Sequence, residues 1–149
     1  MMKELQEKAE KYCAYAERCS YDVRHKLQKL GADESTISKI IAKLQKDDYL
    51  DDARFANAFA YGKFKNNRWG KTKIRAELVK RQVSEPHINK ALEVIDDESY
   101  RQCLLFLINK KTKELEGKPP DKLREKVVAY CLQKGFEADL VWKIIIGNA

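Results

Sequence analysis

Breaks are scarce in this chain. Six glycines and three prolines occur in 149 residues, and they fall between periodic apolar segments, which excludes a low-complexity or collagen-like protein. Histidine is scarcer still, with two. His25 and His87 do not combine with Cys13, Cys19, Cys103 and Cys131 in any CxxC or Cys/His ligand spacing, so no metal site is expected. The cysteines read as small apolar residues on helix faces in a reducing compartment. Long apolar runs are missing as well. The longest, Cys103 to Ile108, is far short of the roughly 20 residues of a membrane helix. The first twenty residues are charged throughout and have no central apolar run, so no signal peptide is expected and the protein is placed in the cytoplasm. There is no Gly-rich phosphate loop, no metal-spaced His pair, and no Ser or Cys nucleophile with a local His. The expectation is a protein that is not an enzyme and has no cofactor.

What the chain does contain is helical periodicity. A composition 44% apolar and 36% charged belongs to a folded, highly soluble protein. Leu5, Ala9, Tyr12, Cys13 and Ala16 recur at helical spacing. Ser20 is placed to cap a second helix carrying Val23, Leu27 and Leu30, which stops at Gly31. Asp33 is placed to cap a third, with Ile37, Ile40, Ile41 and Leu44 as its buried face. Asp51 caps a fourth, with Leu50 just before the cap and Phe55 four residues into the helix set for a hydrophobic staple. Ala56 and Phe59 share the face of Phe55. After Asn66 and Asn67, Arg68-Trp69-Gly70 form a short connection to a helix burying Ile74 and Leu78. Three further apolar stripes run through Ile88 to Ile95 and Tyr100 to Ile108, and then from Leu123 onward. Gly135 separates the last helix. No stretch reads as a convincing strand.

A period emerges from this pattern. Leu27 to Gly31, Leu78 to Gln82 and Cys131 to Gly135 each close the second helix of a set, and Ile37, Ile88 and Val141 stand six residues after each close. The fold expected is all-α, with three tandem three-helix repeats over 3–50, 51–96 and 97–147 forming an elongated, curved rod. Gln82 stands where the other two repeats have glycine, so its helix must close in a less comfortable left-handed conformation or by another route.

Charge is distributed unevenly. Between Lys63 and Arg81 there are eight Lys or Arg and one acid, Glu77, a local net of +7 that equals the net charge of the whole chain. Lys63, Lys65, Arg68, Lys71, Lys73, Arg75, Lys80 and Arg81 are therefore the expected contact surface for an anionic partner. Trp69, beside Arg68 and a glycine, is either a core residue covering the loop or a stacking and anchoring side chain. Lys110, Lys111 and Lys113 make a smaller basic run. The carboxylates Asp47, Asp48, Asp51 and Asp52 read as helix-terminal caps, not as a metal site. Arg54 is near enough to pair with Asp51 or Asp52.

Leu50-Asp51-Asp52-Ala53-Arg54-Phe55-Ala56, followed by Trp69-Gly70 and Ile74-Arg75-Ala76-Glu77-Leu78, resembles the central signature of the RecX regulatory proteins. Arg18, Ser20 and Lys26 to Gly31 follow the family order in the first repeat. The likeness runs from about residue 10 to 145 and is strongest in the middle. Lys71 departs from it where the family often has proline. The resemblance implies a tandem three-helix architecture and a non-enzymatic modulator, a monomer that binds RecA and its nucleoprotein filament on single-stranded DNA. Such a modulator lowers strand exchange, ATPase and coprotease activity. The alternative is a stand-alone nucleic-acid-binding helical protein, since three-helix units resemble helix-turn-helix modules.

Overall fold

The computed structural model describes residues 1–147. Among the described residues there are nine helices and no strand: α1 Met2–Tyr15, α2 Ser20–Lys29, α3 Glu34–Lys46, α4 Asp52–Asn67, α5 Lys71–Lys80, α6 Glu85–Glu93, α7 Asp97–Glu114, α8 Pro120–Gln133 and α9 Ala138–Gly147. The all-α, three-helix-repeat reading holds. The helices divide between two compact units, Met1–Phe59 with Leu78–Ala91, and Ala60–Glu77 with the chain from Leu92 onward.

In the first unit, α1, α2 and α3 pack on one another. Their stripes supply a continuous core of Leu5, Ala9, Cys13, Val23, Leu27, Ile37, Ile40, Ile41, Leu44 and Leu50. In the second unit, α8 packs on α7 and α9, burying Leu104, Leu107, Val127, Cys131, Phe136, Val141 and Ile144. Among the described residues no charged side chain is buried, so hydrophobic burial carries the fold and charge is left to the surface.

The repeat is written most clearly in how helices close. Gly31, Gln82 and Gly135 all have left-handed φ, at 87°, 58° and 101°. Each donates its amide to the carbonyl three residues back, and the following residue donates to Leu27, Leu78 and Cys131 respectively. That double bond pattern is the Schellman closure, which satisfies carbonyls the helix end leaves orphaned. Gln82 thus adopts the same backbone as its glycine counterparts despite its Cβ. Asp48, at φ 61°, closes α3 in the same way. Ile37, Ile88 and Val141 are all buried.

The family-like stretch from Leu50 to Phe55 works as a fastening for the first unit. Leu50 and Phe55 are both buried. Asp51 caps α4, accepting from the Arg54 amide at 3.0 Å. Asp52 reaches across the chain: its Oδ1 accepts from the Ser20 amide at 2.8 Å and from the Ser20 hydroxyl at 3.1 Å. The expected cap of α2 by Ser20 is thereby corrected. Ser20 is the first helical residue and Cys19 is the cap position; the Cys19 amide donates to the Asp22 carboxylate at 3.4 Å, and the carboxylate that takes the Ser20 amide comes from 32 residues away. The expected Arg54 pairing is corrected as well. Its guanidinium pairs with Glu17 at 2.7 Å and donates to the Asp48 carbonyl at 3.1 Å, while Asp51 is engaged with the Arg54 backbone.

The cysteines behave as apolar filler. Cys13, Cys19 and Cys131 are buried and Cys103 is half-buried, and burial pushes the Cys19 thiol up to about 12 and the Cys131 thiol up to about 11. No helix among the described residues is long and apolar enough to cross a membrane.

Candidate nucleic-acid interface

The second unit gathers the start of α5 against the junction of α8 and α9. Gly70 donates its amide to the Lys134 carbonyl at 2.8 Å, and Thr72 donates to the Gly135 carbonyl at 2.9 Å. The Lys71 amide donates to the Tyr100 hydroxyl at 2.9 Å, and that hydroxyl in turn donates to the Glu137 carboxylate. Amides that α5 would otherwise leave orphaned are therefore taken by the carbonyl end of α8 and by a buried phenol. Burial first, and then the bond to Glu137, push the Tyr100 phenol well above its ordinary value, so it stays protonated and keeps donating. The backbones approach so closely that a Cβ on Gly70 would lie 2.2 Å from the Gly135 carbonyl carbon and 2.4 Å from the Phe136 amide nitrogen. Trp69-Gly70 is thus fixed by a backbone contact that only glycine permits.

Around this junction stand the predicted basic residues, interleaved with aromatic rings. The Lys63 and Lys73 ammoniums lie 4.9 Å and 4.5 Å from the Trp69 ring centroid. Lys71 lies 4.8 Å from Tyr100, Lys65 lies 5.5 Å from Tyr61, and the Arg68 guanidinium lies 4.2 Å from Phe106. Trp69 is half-buried, so it is a partly covered platform between two lysines and neither a core residue nor a fully presented ring. Arg75 lies on α5, half-buried, in the same unit.

Sequence reading misses Lys134. Its ammonium donates to the Asn67 carbonyl at 2.7 Å, where a cation meets the carbonyl end of α4. Burial, and then the charges of Lys73, Lys110 and Arg68, hold it below the ordinary lysine value. Lys134 therefore reveals which cations crowd together: Lys110, placed by sequence in a secondary run, joins Arg68 and Lys73. Its neighbour Lys111 is oriented differently, 3.4 Å from Glu114 and 4.8 Å from the Tyr130 ring. Lys113 is exposed. Lys80 and Arg81 fall in the first unit, where Arg81 lies 5.0 Å from the Phe59 ring.

Two features of this surface carry a cost for the fold. Arg68 sits at φ 54°, a left-handed position where glycine would be unstrained. The Lys134 ammonium is depressed first by burial and then by neighbouring like charge. Both belong to the end of α4: the Arg68 amide donates to the Phe64 carbonyl and the Trp69 amide to the Lys63 carbonyl, each at 3.1 Å, and the Lys134 ammonium donates to the Asn67 carbonyl.

Three-helix repeats with a basic, aromatic-studded surface define the class of the fold. Family models for the first, second and third three-helix domains of RecX match residues 6–44, 51–92 and 98–145. The chain belongs to the RecX family. It is 34% identical over 125 residues to "Regulatory protein RecX" of Clostridium botulinum strain Eklund 17B, covering 83% of this chain and 58% of the relative. It is 29% identical over 134 residues to the protein of that name from Oceanobacillus iheyensis, covering 90% of this chain and 49% of the relative. The chain thus spans about half to three-fifths of the length of these curated relatives. The crystal structure of RecX from Lactobacillus salivarius shares the fold at a TM-score of 0.88 with 24% identity, covering 98% of this chain and 95% of that one. A second crystal structure of regulatory protein RecX gives a TM-score of 0.85 with 22% identity, covering 99% of this chain and 74% of that one.

Proposed function

We propose that this protein is a cytoplasmic regulator, without catalysis of its own, that binds the RecA recombinase and its filament on single-stranded DNA. Binding lowers strand exchange, ATP hydrolysis and coprotease activity, and so tunes recombinational repair and the SOS response. Membership of a regulatory family points to the partner. The observation that carries the reading is the placement of Lys63, Arg68, Lys71 and Lys73 over the rings of Trp69, Phe106 and Tyr100, because neutralising phosphates with such a surface releases counterions and favours a nucleic-acid-bearing partner. Trp69, held between Lys63 and Lys73, adds a stacking or anchoring ring.

The test is direct. Purified protein is added in increasing amounts to RecA on single-stranded DNA while ATP hydrolysis and strand exchange are followed. Both should fall as protein approaches the RecA concentration. If neither changes at several-fold excess, the regulatory reading is wrong. Sequence-specific binding of duplex DNA at physiological salt would instead support the stand-alone nucleic-acid binder.

A further inference from the structure

Between α4 and α7, inside the second unit, lies an open groove of about 600 Å³ that no residue of the signature predicts. Its apolar surface comes from Tyr61, Phe64, Val94, Ile95, Cys103 and Phe106. Three of these are exposed to a degree unusual for large apolar side chains: Val94 at 63%, Tyr61 at 50% and Phe106 at 41%. Each of the two exposed rings carries a cation, Arg68 on Phe106 and Lys65 on Tyr61. The other end of the groove is acidic, from Asp96 and Glu98 at the start of α7. Both carboxylates are engaged, Asp96 with the Ser99 amide at 2.8 Å and Glu98 with the Gln102 side chain at 3.0 Å. Eight residue steps from Glu98 to Phe106 separate the two ends by about 12 Å along the helix.

We propose that this groove is a stacking site for unpaired bases of a single-stranded nucleic acid, with Lys65 and Arg68 holding the adjoining phosphates. The proposal deepens the reading of the basic surface as a nucleic-acid contact and rests on it. Charge decides the occupant. A flat ring with a cation across its face is complementary to a base joined to a phosphate, and a guanidinium plane stacks on bases as aromatic rings do. The acidic end repels phosphate. The backbone is therefore confined to the side of Arg68, and the base is the part that enters. The crowded Lys110 and Lys134 continue the cationic side beyond Arg68. Stacking tolerates any base, so the site adds affinity for single strands without reading sequence.

The experiment compares two oligomers with the same number of phosphates, a 15-residue oligothymidylate and an abasic oligomer of equal length, bound to the full chain without RecA. The unaltered protein should prefer the thymidine oligomer by roughly tenfold, within the range that base–aromatic stacking supplies. Phe106→Ala should abolish that preference and leave abasic binding and its salt dependence unchanged. Tyr61→Ala, at a still more exposed position, repeats the test should Phe106→Ala misfold by circular dichroism. The proposal is overturned if the unaltered protein binds neither oligomer or binds both equally. It is also overturned if the preference survives both substitutions, or if they weaken both oligomers alike. Because RecA is absent, the outcome is independent of whether the protein inhibits the recombinase. A protein that passes this test and leaves RecA untouched keeps the groove and loses the regulatory role.

Discussion

Two stretches of this chain use charge in opposite ways. From Leu50 to Phe55 every charged group serves the fold: Asp51 caps its own helix, Asp52 caps α2, and Arg54 ties Glu17 to the Asp48 carbonyl. From Lys63 to Lys73 the cations lie over aromatic rings, and with Lys110 and Lys134 they crowd one another. The first stretch makes the family recognisable. The second closes α4 through Arg68 and Lys134 and otherwise sets its cations over rings at the surface. A charge matched by the chain's own hydrogen bonds stabilises structure. Charges of one sign gathered over aromatic rings suit an anionic partner.

The division between scaffold and contact surface is most exposed to refutation at Phe55. Truncating this buried ring, Phe55→Ala, should cost on the order of 3–5 kcal/mol in chemical denaturation, while binding per folded molecule stays unchanged. A loss under about 1 kcal/mol would remove the first stretch from the scaffold. Gly70 makes the division finer, because it lies within the basic stretch yet belongs to the fold. Gly70→Ala should destabilise by about 3 kcal/mol, since the added carbon meets backbone that has no room to yield. Arg68→Gly should behave in the opposite sense. Relief of the left-handed strain offsets the missing cation–π interaction with Phe106, so stability should stay within about 1 kcal/mol while affinity for single-stranded DNA falls.

The smallest effect is a pH dependence that belongs to the caps and not to the basic surface. Asp33 and Asp96 are held below the ordinary carboxylate range, chiefly by hydrogen bonds from the backbone amides of Thr36 and Ser99. A carboxylate depressed on folding adds stability above its unfolded pKa, near 3.8, and loses it as pH falls through the lower folded value. Melting temperatures of the parent should therefore drop as pH falls below about 4. The Asp33→Asn, Asp96→Asn variant keeps both caps without the titration and should drop less over that interval.

What the sequence discloses follows from the range of each interaction. Helix stripes, the Asp33 and Asp51 caps and the closures at Gly31, Gln82 and Gly135 depend on residues within one or two turns, and local spacing states them. The Asp52–Ser20 bond spans 32 residues, and spacing assigns Ser20 a cap role that the distant carboxylate fills instead. The approach of Gly70 to Gly135 is of the same kind. Two glycines far apart in sequence read as ordinary helix boundaries until tertiary packing brings them together. Lys134 escapes notice because charge counting along the chain sees only runs, and it enters the basic cluster through the fold. For the same reason Lys80 and Arg81 read as one group with cations from which the compact units divide them.

The central claim is that the basic surface of the second unit meets phosphate. It is tested most directly by the salt dependence of binding to single-stranded DNA for the parent and for Lys71→Glu, Lys73→Glu. Removing one phosphate neutralisation should lower the log–log slope by about 0.7, so the slope should fall by roughly 1.4 in a variant that melts like the parent. An unchanged slope in the folded variant would show that these lysines face solvent alone, and would contradict the account.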